Sequence, residues 1–424
     1  MERWKINLYT VWFSQIFMLM SFSFGMPFLP FYIQELGVVD PDKVKLYSAI
    51  LTIAPGVSMA VMSPIWGMAA DKWGKKLMLL RAMGFAAVII AAMGFVTDVN
   101  QLIVLRFIQG IFTGTVVAST ALVATSVPSN RLSFAIGFLS SSTFIGTSAG
   151  PVIGGFLADL LGYRVSFYIG GVLALIDFLL VLLLVKEEKI VPKPVRPDEA
   201  REGKGLRSIL LLFSSLMITL LSVIFLLRFV RSVFSPYLPL FIQERITGIW
   251  SPTKATGIVN GVTGLMTALA GLTLCRLGDR HSKFLVIKAM FILGIAASIP
   301  LIIADNLILF TLFYGLFFFF LGGMEPIVMS MTSEITPPER RGVLFGIQGL
   351  VSNIAWVLSP VLSGFISIRF SIHSVLYLLP VFLVPGLVSI MFFDRKKGNP
   401  QAAAASASEG SCLPGQTDAF KDQL

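Results

Sequence analysis

The chain has 424 residues, of which 55% are hydrophobic and only 13% charged, and its mean hydropathy is +0.84. Soluble domains carry about 25% charged residues, so this composition excludes a water-soluble globular protein. The net charge of +10 comes from basic residues between apolar runs, without a basic face or a binding motif, which argues against nucleic-acid binding.

Twelve apolar runs follow one another along the chain, and each is long enough to cross a bilayer as a helix. They lie near 8–31, 46–68, 77–97, 101–126, 132–157, 165–185, 209–241, 255–277, 284–304, 307–333, 342–367 and 373–393. They predict an all-α polytopic membrane protein with six spans in each of two bundles, 1–185 and 208–395. The polar segment 186–207 is predicted to be a cytoplasmic linker, and 396–424 a disordered cytoplasmic tail.

The basic residues indicate the orientation of these spans. Lys and Arg collect in short loops on the cytoplasmic side of a membrane. Most of the 33 Lys and Arg residues fall in segments on the same side as the two termini. The loops on the opposite side hold only Lys43, Lys45, Arg164, Arg245, Lys254 and Arg369. Both termini are therefore predicted to be cytoplasmic. The chain itself is predicted to lie in the cell (inner or plasma) membrane.

An internal repeat relates the two halves. Residues 27–35, PFLPFYIQE, return as PYLPLFIQE at 236–244, and residues 150–156, GPVIGGF, return as SPVLSGF at 359–365. An even number of spans separates equivalent points, so the halves have the same orientation. A parallel repeat of this kind is related by an axis along the membrane normal, and it predicts a substrate site near the midplane between the halves.

Four motifs occur at fixed places among the runs. Residues 67–76, between the second and third runs, read GMAADKWGKK, and residues 105–110 in the fourth run read LRFIQG. Residues 146–155 in the fifth run read GTSAGPVIGG, and residues 25–30 in the first read GMPFLP. With these motifs the sequence resembles the major facilitator superfamily, in its twelve-helix drug:proton antiporter branch, over roughly residues 5–395. Within that branch it looks most like bacterial multidrug exporters.

The resemblance implies a major facilitator fold and a set of gating residues. In the family, the loop after span 2 holds the cytoplasmic gate closed and releases it in each cycle, and the span 5 motif marks export by antiport. The matching positions here are Gly67, Asp71, Gly74, Lys75, Gly146, Gly150, Pro151 and Gly154, with Asp279 in the repeated loop LGDRHSK. From the residues alone, the glycines four apart on span 5 allow close helix packing, and Pro151 bends the helix.

Apart from Arg81, Arg276 and Lys288 near the cytoplasmic ends of their runs, five charged residues fall inside apolar runs, namely Arg106, Asp177, Arg228, Arg231 and Glu325. Each would cost about 2.5–3.5 kcal/mol at the bilayer centre, so each must face a cavity or a partner. Glu325 is predicted to be the proton-coupling carboxylate, the alternative being a permanent ion pair with Arg228. Arg106 resembles an arginine implicated in proton coupling in the family, with a structural role as the alternative. Asp177 is a further candidate for proton coupling.

The cavity wall is predicted from polar residues on the spans that line the centre of the family fold, spans 1, 4, 7 and 10, and on span 11. The candidates are Arg228, Arg231, Gln15, Gln109, Thr113, Gln348 and Asn353. Each uncharged residue among them has the alternative of joining two helices by a hydrogen bond. Span 1 holds no acidic residue, which argues against cationic drugs, and the paired arginines of span 7 suit anionic or zwitterionic substrates.

The predicted function is proton-coupled efflux of small lipophilic compounds by alternating access. The alternative is a narrow-specificity transporter of one anionic or zwitterionic metabolite. The expected partners are a small-molecule substrate, protons and the lipid bilayer, with no nucleic acid, and the chain is expected to act as a monomer. No enzyme activity, cofactor or metal site is expected, because the sequence contains no nucleophile–base pair and no metal-ligand pattern.

Overall fold

The computed structural model describes residues 2–128, 131–187, 214–245, 251–304, 306–336 and 341–398. Within these ranges it is helical and contains no β-strand, and twelve helical segments are long and apolar enough to cross a membrane. The twelve predicted spans are therefore confirmed. Most of the predicted linker and the predicted tail lie outside the described residues, as do the side chains of Asp71 and Asp279.

The first six spans are numbered here in chain order. Span 1 consists of helices Arg3–Ser23 and Leu29–Glu35, joined by the 3-10 turn Met26–Phe28. Spans 2 and 3 are Pro41–Trp73 and Lys75–Met93, and span 4 consists of Val99–Phe112 and Thr115–Ser126. Spans 5 and 6 are Leu132–Leu161 and Tyr163–Leu184.

The second six spans repeat this order. Span 7 is Ser215–Val233, followed by the short helix Leu238–Arg245. Spans 8, 9 and 10 are Pro252–Arg280, Lys283–Ile303 and Leu307–Glu334. Span 11 is Arg341–Arg369, and span 12 is Leu378–Gly398, preceded by the 3-10 turn His373–Tyr377. We call the end of the bundle with both chain termini the terminal end, and the opposite end the far end.

The helices of spans 1 and 7 break at the repeated proline motif. The apolar run 209–241 predicts one continuous helix, but the structure ends it at Val233 and starts a new helix at Leu238. Pro30 stands in the first turn of its helix, where the missing N–H removes no helical hydrogen bond. The sequence PxLP therefore starts a short helix at the far end in both halves.

Span 4 is also interrupted, at Gly114, whose φ of +124° favours glycine. The backbone carbonyls left free at this break are satisfied by side chains from spans 2 and 3. The indole Nε1 of Trp66 donates to the Ile111 carbonyl at 2.6 Å, and Arg81 donates to the Thr113 carbonyl at 3.4 Å. The Arg81 guanidinium also lies 3.5 Å above the Trp66 ring centre. Non-helical backbone at membrane depth requires such partners.

The two halves meet through two symmetry-related pairs of helices. Span 5 packs against span 8, and span 2 packs against span 11. A two-fold axis that exchanges the halves turns each pair into the other. Gln34 and Gln243, which are 209 residues apart and equivalent in the repeat, exchange reciprocal amide hydrogen bonds of 3.0 and 3.1 Å. These two residues lie across the axis of the predicted internal repeat, at the far end.

Candidate functional site

A cavity of about 720 Å³ lies where the halves meet. Most of its wall comes from spans 7, 8, 10 and 11 of the second half, and Met59 of span 2 and Thr143, Phe144 and Thr147 of span 5 complete it. The cavity is of the size that holds drug-like ligands, for which about 300–1,000 Å³ is usual. Spans 7 and 10 line it as the family resemblance implies, but no residue of span 1 or span 4 is among its described lining.

Three of the predicted residues form the charged part of this wall. Arg228 and Arg231 lie three positions apart and share a face of span 7, and both point towards Glu325 of span 10. Arg228 forms an ion pair with the Glu325 carboxylate, and Arg231 Nη1 lies 3.9 Å from Glu325 Oε2. The Glu325 side chain is only 12% exposed, whereas those of Arg228 and Arg231 are 43% and 37% exposed. The structure therefore brings these three residues together inside the cavity.

The sequence around Glu325 shapes its position. Pro326 follows it and supplies no N–H, so the helix loses one backbone hydrogen bond directly after the carboxylate. Gly322 and Gly323 precede it on the same helix and allow span 8 to approach: a Cβ at Gly322 would lie 3.0 Å from the Thr267 side chain. Span 10 is thus close-packed against span 8 just before Glu325, and the same turn lacks the backbone hydrogen bond between residues 326 and 322.

Gln348 and Asn353 line the cavity as predicted, but Gln15, Gln109 and Thr113 do not. Gln15 is buried and donates to the hydroxyl of Thr143 at 2.6 Å, so it joins span 1 to span 5 behind the wall. The backbone carbonyl of Thr113 accepts from Arg81 at the break in span 4. Gln109 accepts from Arg106 of its own helix. These three positions are a correction to the expected lining, and the contact of Gln15 matches the alternative of a hydrogen bond between two helices.

Arg106 lies inside the first half, away from the cavity. Its Nε donates to the Leu51 carbonyl of span 2 at 2.9 Å, and its Nη1 contacts the Met26 sulfur at 3.0 Å and donates to Gln109. Among the described residues it forms no ion pair. The contacts bind span 4 to span 2 and to the turn within span 1, which supports the structural alternative for this arginine.

Asp177 is completely buried in the first half, on the face of span 6 that packs against span 1. The Ser14 hydroxyl of span 1 is the polar side chain beside it. Neither Asp177 oxygen has a hydrogen bond of good geometry within the described part of the chain. Asp177 is therefore separated from Glu325, and the three residues predicted for proton coupling do not form one cluster.

Aromatic residues are one part of the wall that the sequence does not predict, and the polar side chains of Asn260 and Thr263 on span 8 belong to another. Tyr314 and Phe318 of span 10, Phe345 and Trp356 of span 11, and Phe144 of span 5 all line the cavity. Phe318 belongs to the run of four phenylalanines on span 10, whereas its neighbour Phe317 is fully buried in the core. An apolar aromatic wall around one charged cluster suits a ligand with an apolar body.

The far end of the bundle is closed by contacts between the halves. Lys254 of span 8 forms an ion pair of 2.7 Å with Asp159 of span 5, and the hydroxyls of Tyr163 and Thr253 lie 2.8 Å apart. The reciprocal Gln34–Gln243 pair lies at the same end. The sequence does not predict these contacts, although the internal repeat makes Gln34 and Gln243 equivalent positions.

Small residues allow spans 5 and 8 to pack closely below these polar pairs. A Cβ at Gly257 would lie 2.6 Å from the Pro151 carbonyl oxygen, and one at Gly264 would lie 2.8 Å from Ser148 Cα. Both obstacles are backbone atoms, which cannot move aside as a flexible side chain can. The contact between the halves at this level therefore depends on glycine.

The glycine motif of span 5 packs inside the first half. A Cβ at Gly146 would lie 2.7 Å from Leu19 Cβ, one at Gly150 2.5 Å from Ser23 Cβ, and one at Gly154 2.6 Å from Phe24 Cα. All three obstacles belong to span 1 or the residue after it. The predicted close approach is present, but this face contacts span 1, and the neighbouring face with Pro151 contacts span 8.

In the loop between spans 2 and 3, the carboxylate of Glu187 binds the start of span 3. It accepts hydrogen bonds of 2.8 Å from the backbone N–H groups of Lys75 and Lys76, which satisfies free donors at a helix N-terminus. Gly74 has a φ of +99°, and a Cβ there would lie 2.9 Å from the Glu187 carboxylate. A Cβ at Gly67 would meet open space. The sequence motif identified the loop but not Glu187, which follows span 6.

Comparison with known proteins agrees with this architecture. The family model described as Major Facilitator Superfamily matches residues 11–249 and 220–424. The chain belongs to the Major Facilitator Superfamily. It is therefore a multi-pass membrane transporter and not an enzyme, and the resemblance described from the motifs is confirmed.

Relatives with curated names are similar over most of this chain. It is 29% identical over 402 residues to the multi-drug resistance efflux pump PmrA homolog of Lactococcus lactis subsp. lactis (strain IL1403), covering 93% of this chain and 97% of that protein. It is 30% identical over 388 residues to the multidrug resistance protein MdtG of Proteus mirabilis (strain HI4320), covering 88% and 92% respectively.

Solved structures show the same fold at low sequence identity. A bacterial homolog of the human lysosomal transporter Spinster, in an inward-facing and occupied conformation, has a TM-score of 0.71 at 14% identity and covers 92% of this chain and 96% of that one. The human organic anion transporter MFSD10 has a TM-score of 0.67 at 16% identity and covers 92% and 100%.

Proposed function

We propose that this chain is a proton-coupled exporter of small, mostly lipophilic compounds that works by alternating access. The observation that carries the proposal is the cavity between the halves, in which one carboxylate lies between two arginines and is surrounded by aromatic residues. The PmrA and MdtG relatives are both named as multidrug resistance proteins, which supports the export of multiple compounds.

Glu325 is the carboxylate through which a proton would act. When ionised, it holds Arg228 of span 7 against span 10. Protonation removes the negative charge from this pair, and the attraction between the two spans weakens because the ion pair is lost. Proton binding at Glu325 would thus change the packing of spans 7 and 10, which line the cavity. Asp177 and Arg106, which lie elsewhere in the first half, are the next candidates.

Alternation would open and close the two ends of the bundle in turn. The far end is closed by the Asp159–Lys254 ion pair, the Gln34–Gln243 pair and the packing of Gly257 against span 5. These contacts must separate for the cavity to open there, and the loop that holds Glu187 against span 3 lies at the opposite end. We propose that Gly67, Gly74 and Lys75, with Asp71 and Asp279, belong to the gate of the terminal end.

The terminal end is proposed to face the cytoplasm. Its loops hold most of the Lys and Arg residues, and this asymmetry is the usual signal for the cytoplasmic side. In that orientation the structure is closed on the outside, and the cavity would receive its ligand from the cytoplasm or from the inner leaflet. The domain limits 1–185 and 208–395, residence in the cell membrane and action as a monomer belong to the same proposal.

A second candidate function is the transport of one anionic or zwitterionic metabolite. The observation that favours it is the charge of the cavity wall, where two arginines face a single carboxylate and the positive charge is in excess. The two functions differ in the breadth of substrates. Competition among a panel of unrelated compounds for one transport process indicates the first, and transport of a single compound from the panel indicates the second.

Export can be tested in inside-out membrane vesicles from cells that produce this chain. A proton gradient is imposed, and the uptake of a panel of dyes and antibiotics is followed with and without an uncoupler. We expect uptake of several unrelated compounds that the uncoupler stops. Uptake that continues at the same rate after the gradient collapses would contradict proton coupling.

A further inference from the structure

We infer that the cavity contains a binding site for an anionic group at Arg231, beside the Arg228–Glu325 ion pair. The preferred ligands of the cavity are amphipathic organic anions. This assignment names the substrate class of the cavity and so rests on the transport function proposed above. It extends that function to the chemistry that the cavity recognises, whichever breadth of substrates the transporter accepts.

The charge balance of the cavity is the first observation. Among the described residues that line it, the charged side chains are the two guanidinium groups of Arg228 and Arg231 and the single carboxylate of Glu325. The other polar members of the wall, such as Asn260, Gln348 and Asn353, are uncharged. The wall therefore carries one positive charge without a counter-ion when all three groups are ionised. A ligand with one negative charge would neutralise it.

The geometry shows which arginine is free to bind. Arg228 forms the close ion pair with Glu325, whereas Arg231 Nη1 is 3.9 Å from the nearer carboxylate oxygen, which is too long for a hydrogen bond. The Arg231 side chain is 37% exposed to the cavity. Guanidinium groups offer paired N–H donors that match carboxylates and sulfonates, so Arg231 has donors left for a ligand.

The rest of the wall determines the body of the ligand. Tyr314, Phe318, Phe345 and Trp356 give the wall aromatic surface beside its hydroxyl and amide side chains, and the volume of about 720 Å³ suits a molecule of drug size. Arginines and aromatic rings in the same wall favour a ligand with an anionic group and an apolar, ring-containing body. A small inorganic anion would leave the aromatic surface uncovered.

Glu325 then affects how tightly this site binds an anion. It is the internal counter-ion of the two arginines, and it repels any carboxylate or sulfonate that approaches Arg231. Loss of its charge would leave the wall with two positive charges and no competing acceptor. The affinity for an organic anion should therefore increase when Glu325 is neutralised, which is the opposite of the result expected if Glu325 held a cationic ligand. Since the coupling between proton and anion is reciprocal, export by this site requires that the transporter change conformation with either the proton or the anion bound and not with both.

The test compares three ligands with the same ring system and different charge: 1-naphthylacetate, its neutral amide and the cation 1-naphthylmethylamine. Binding to the purified full-length chain is measured by calorimetry. The variants are Arg231→Gln, Glu325→Gln and, as a matched control, Arg369→Gln, which removes an exposed arginine of span 11 outside the cavity wall. Arg231 is chosen because its removal leaves the Arg228–Glu325 pair intact.

For the wild type and the control variant we expect the anion to bind about tenfold more tightly than the amide, and the cation to bind most weakly. Arg231→Gln should abolish the preference for the anion while the amide binds as before, which also shows that the variant is folded. Glu325→Gln should tighten anion binding by about tenfold. Equal binding of the anion and the amide to the wild type would contradict an anion-binding site at Arg231, but it would not contradict the export of lipophilic compounds. Weaker anion binding by Glu325→Gln would overturn the assigned role of Glu325.

Discussion

Replacement of Gly257 by Ala should open the far end of the transporter. The added Cβ would lie 2.6 Å from the Pro151 carbonyl oxygen and 3.2 Å from Gly155 Cα, and both obstacles belong to the backbone of span 5. Overpacking of this kind costs about 1–3 kcal/mol. The cost applies only while spans 5 and 8 are in contact, because the two residues belong to different halves. The ratio of open to closed far ends should therefore increase by about 5- to 150-fold.

The assay measures the distance between the halves at the far end by pulsed electron resonance. Spin labels are attached to cysteines at Val39 and Phe370, which are 89% and 71% exposed and lie at the far end of the first and second half. Cys275 and Cys412 are first replaced by serine. We expect a single short distance in the parent and a second, longer distance in Gly257→Ala.

The matched control is Gly271→Ala on the same span. A Cβ there would lie 3.5 Å from Phe144 Cζ, an ordinary contact. Both changes replace a helical glycine, so their effects on helix propensity are the same and cancel in the comparison. A distance distribution in Gly257→Ala that matches the parent, or an equal shift in both variants, would refute the steric reasoning.

Three further predictions concern polar contacts. Gln34→Leu removes both hydrogen bonds of the reciprocal pair with Gln243, each worth about 1 kcal/mol, and should lengthen the same spin-label distance in part of the molecules. Glu187→Ala removes two hydrogen bonds from the start of span 3 and should lower stability by about 1–2 kcal/mol, seen as a lower midpoint of thermal unfolding. Asp177→Asn should leave substrate-driven proton flux in place, because Asp177 lies outside the cavity; loss of flux would move the coupling site to span 6.

The sequence predicts the number of spans and their parallel repeat because both follow from composition along the chain. Charges and prolines stand between or inside runs that are otherwise apolar, so the run boundaries can be read directly. The exceptions are the breaks inside the runs 8–31, 101–126 and 209–241, which hydropathy does not show because the residues at these breaks are mostly apolar or small.

The position of a residue on its helix face is harder to predict. Gln15 and Gln348 are both polar residues in apolar helices, but Gln15 turns towards Thr143 inside the first half, whereas Gln348 lines the cavity. Sequence gives no rotation of one helix against another, and so it cannot separate the two cases. The orientation of Arg228 and Glu325 is easier to predict, because an ionised residue in a membrane must face a partner or a cavity. Only a few such residues exist in this chain.

Contacts between distant segments were missed for a related reason. Glu187 lies just after span 6 and binds the start of span 3 through backbone groups, which carry no signature in the sequence. The Asp159–Lys254 pair joins residues at the ends of spans 5 and 8, and either residue alone resembles an ordinary charge at a membrane surface. Such contacts become visible only when the packing of the helices is known.

The measurement that tests proton-coupled export most directly is proton movement in liposomes that contain the purified chain and a pH-sensitive dye. Wild type is compared with Glu325→Gln and with Glu334→Gln, a matched control on the same span whose carboxylate pairs with Lys283 outside the cavity. We predict that substrate triggers proton flux in the wild type and in Glu334→Gln, and that Glu325→Gln abolishes it. Undiminished flux in Glu325→Gln would contradict the role assigned to the carboxylate between Arg228 and Arg231.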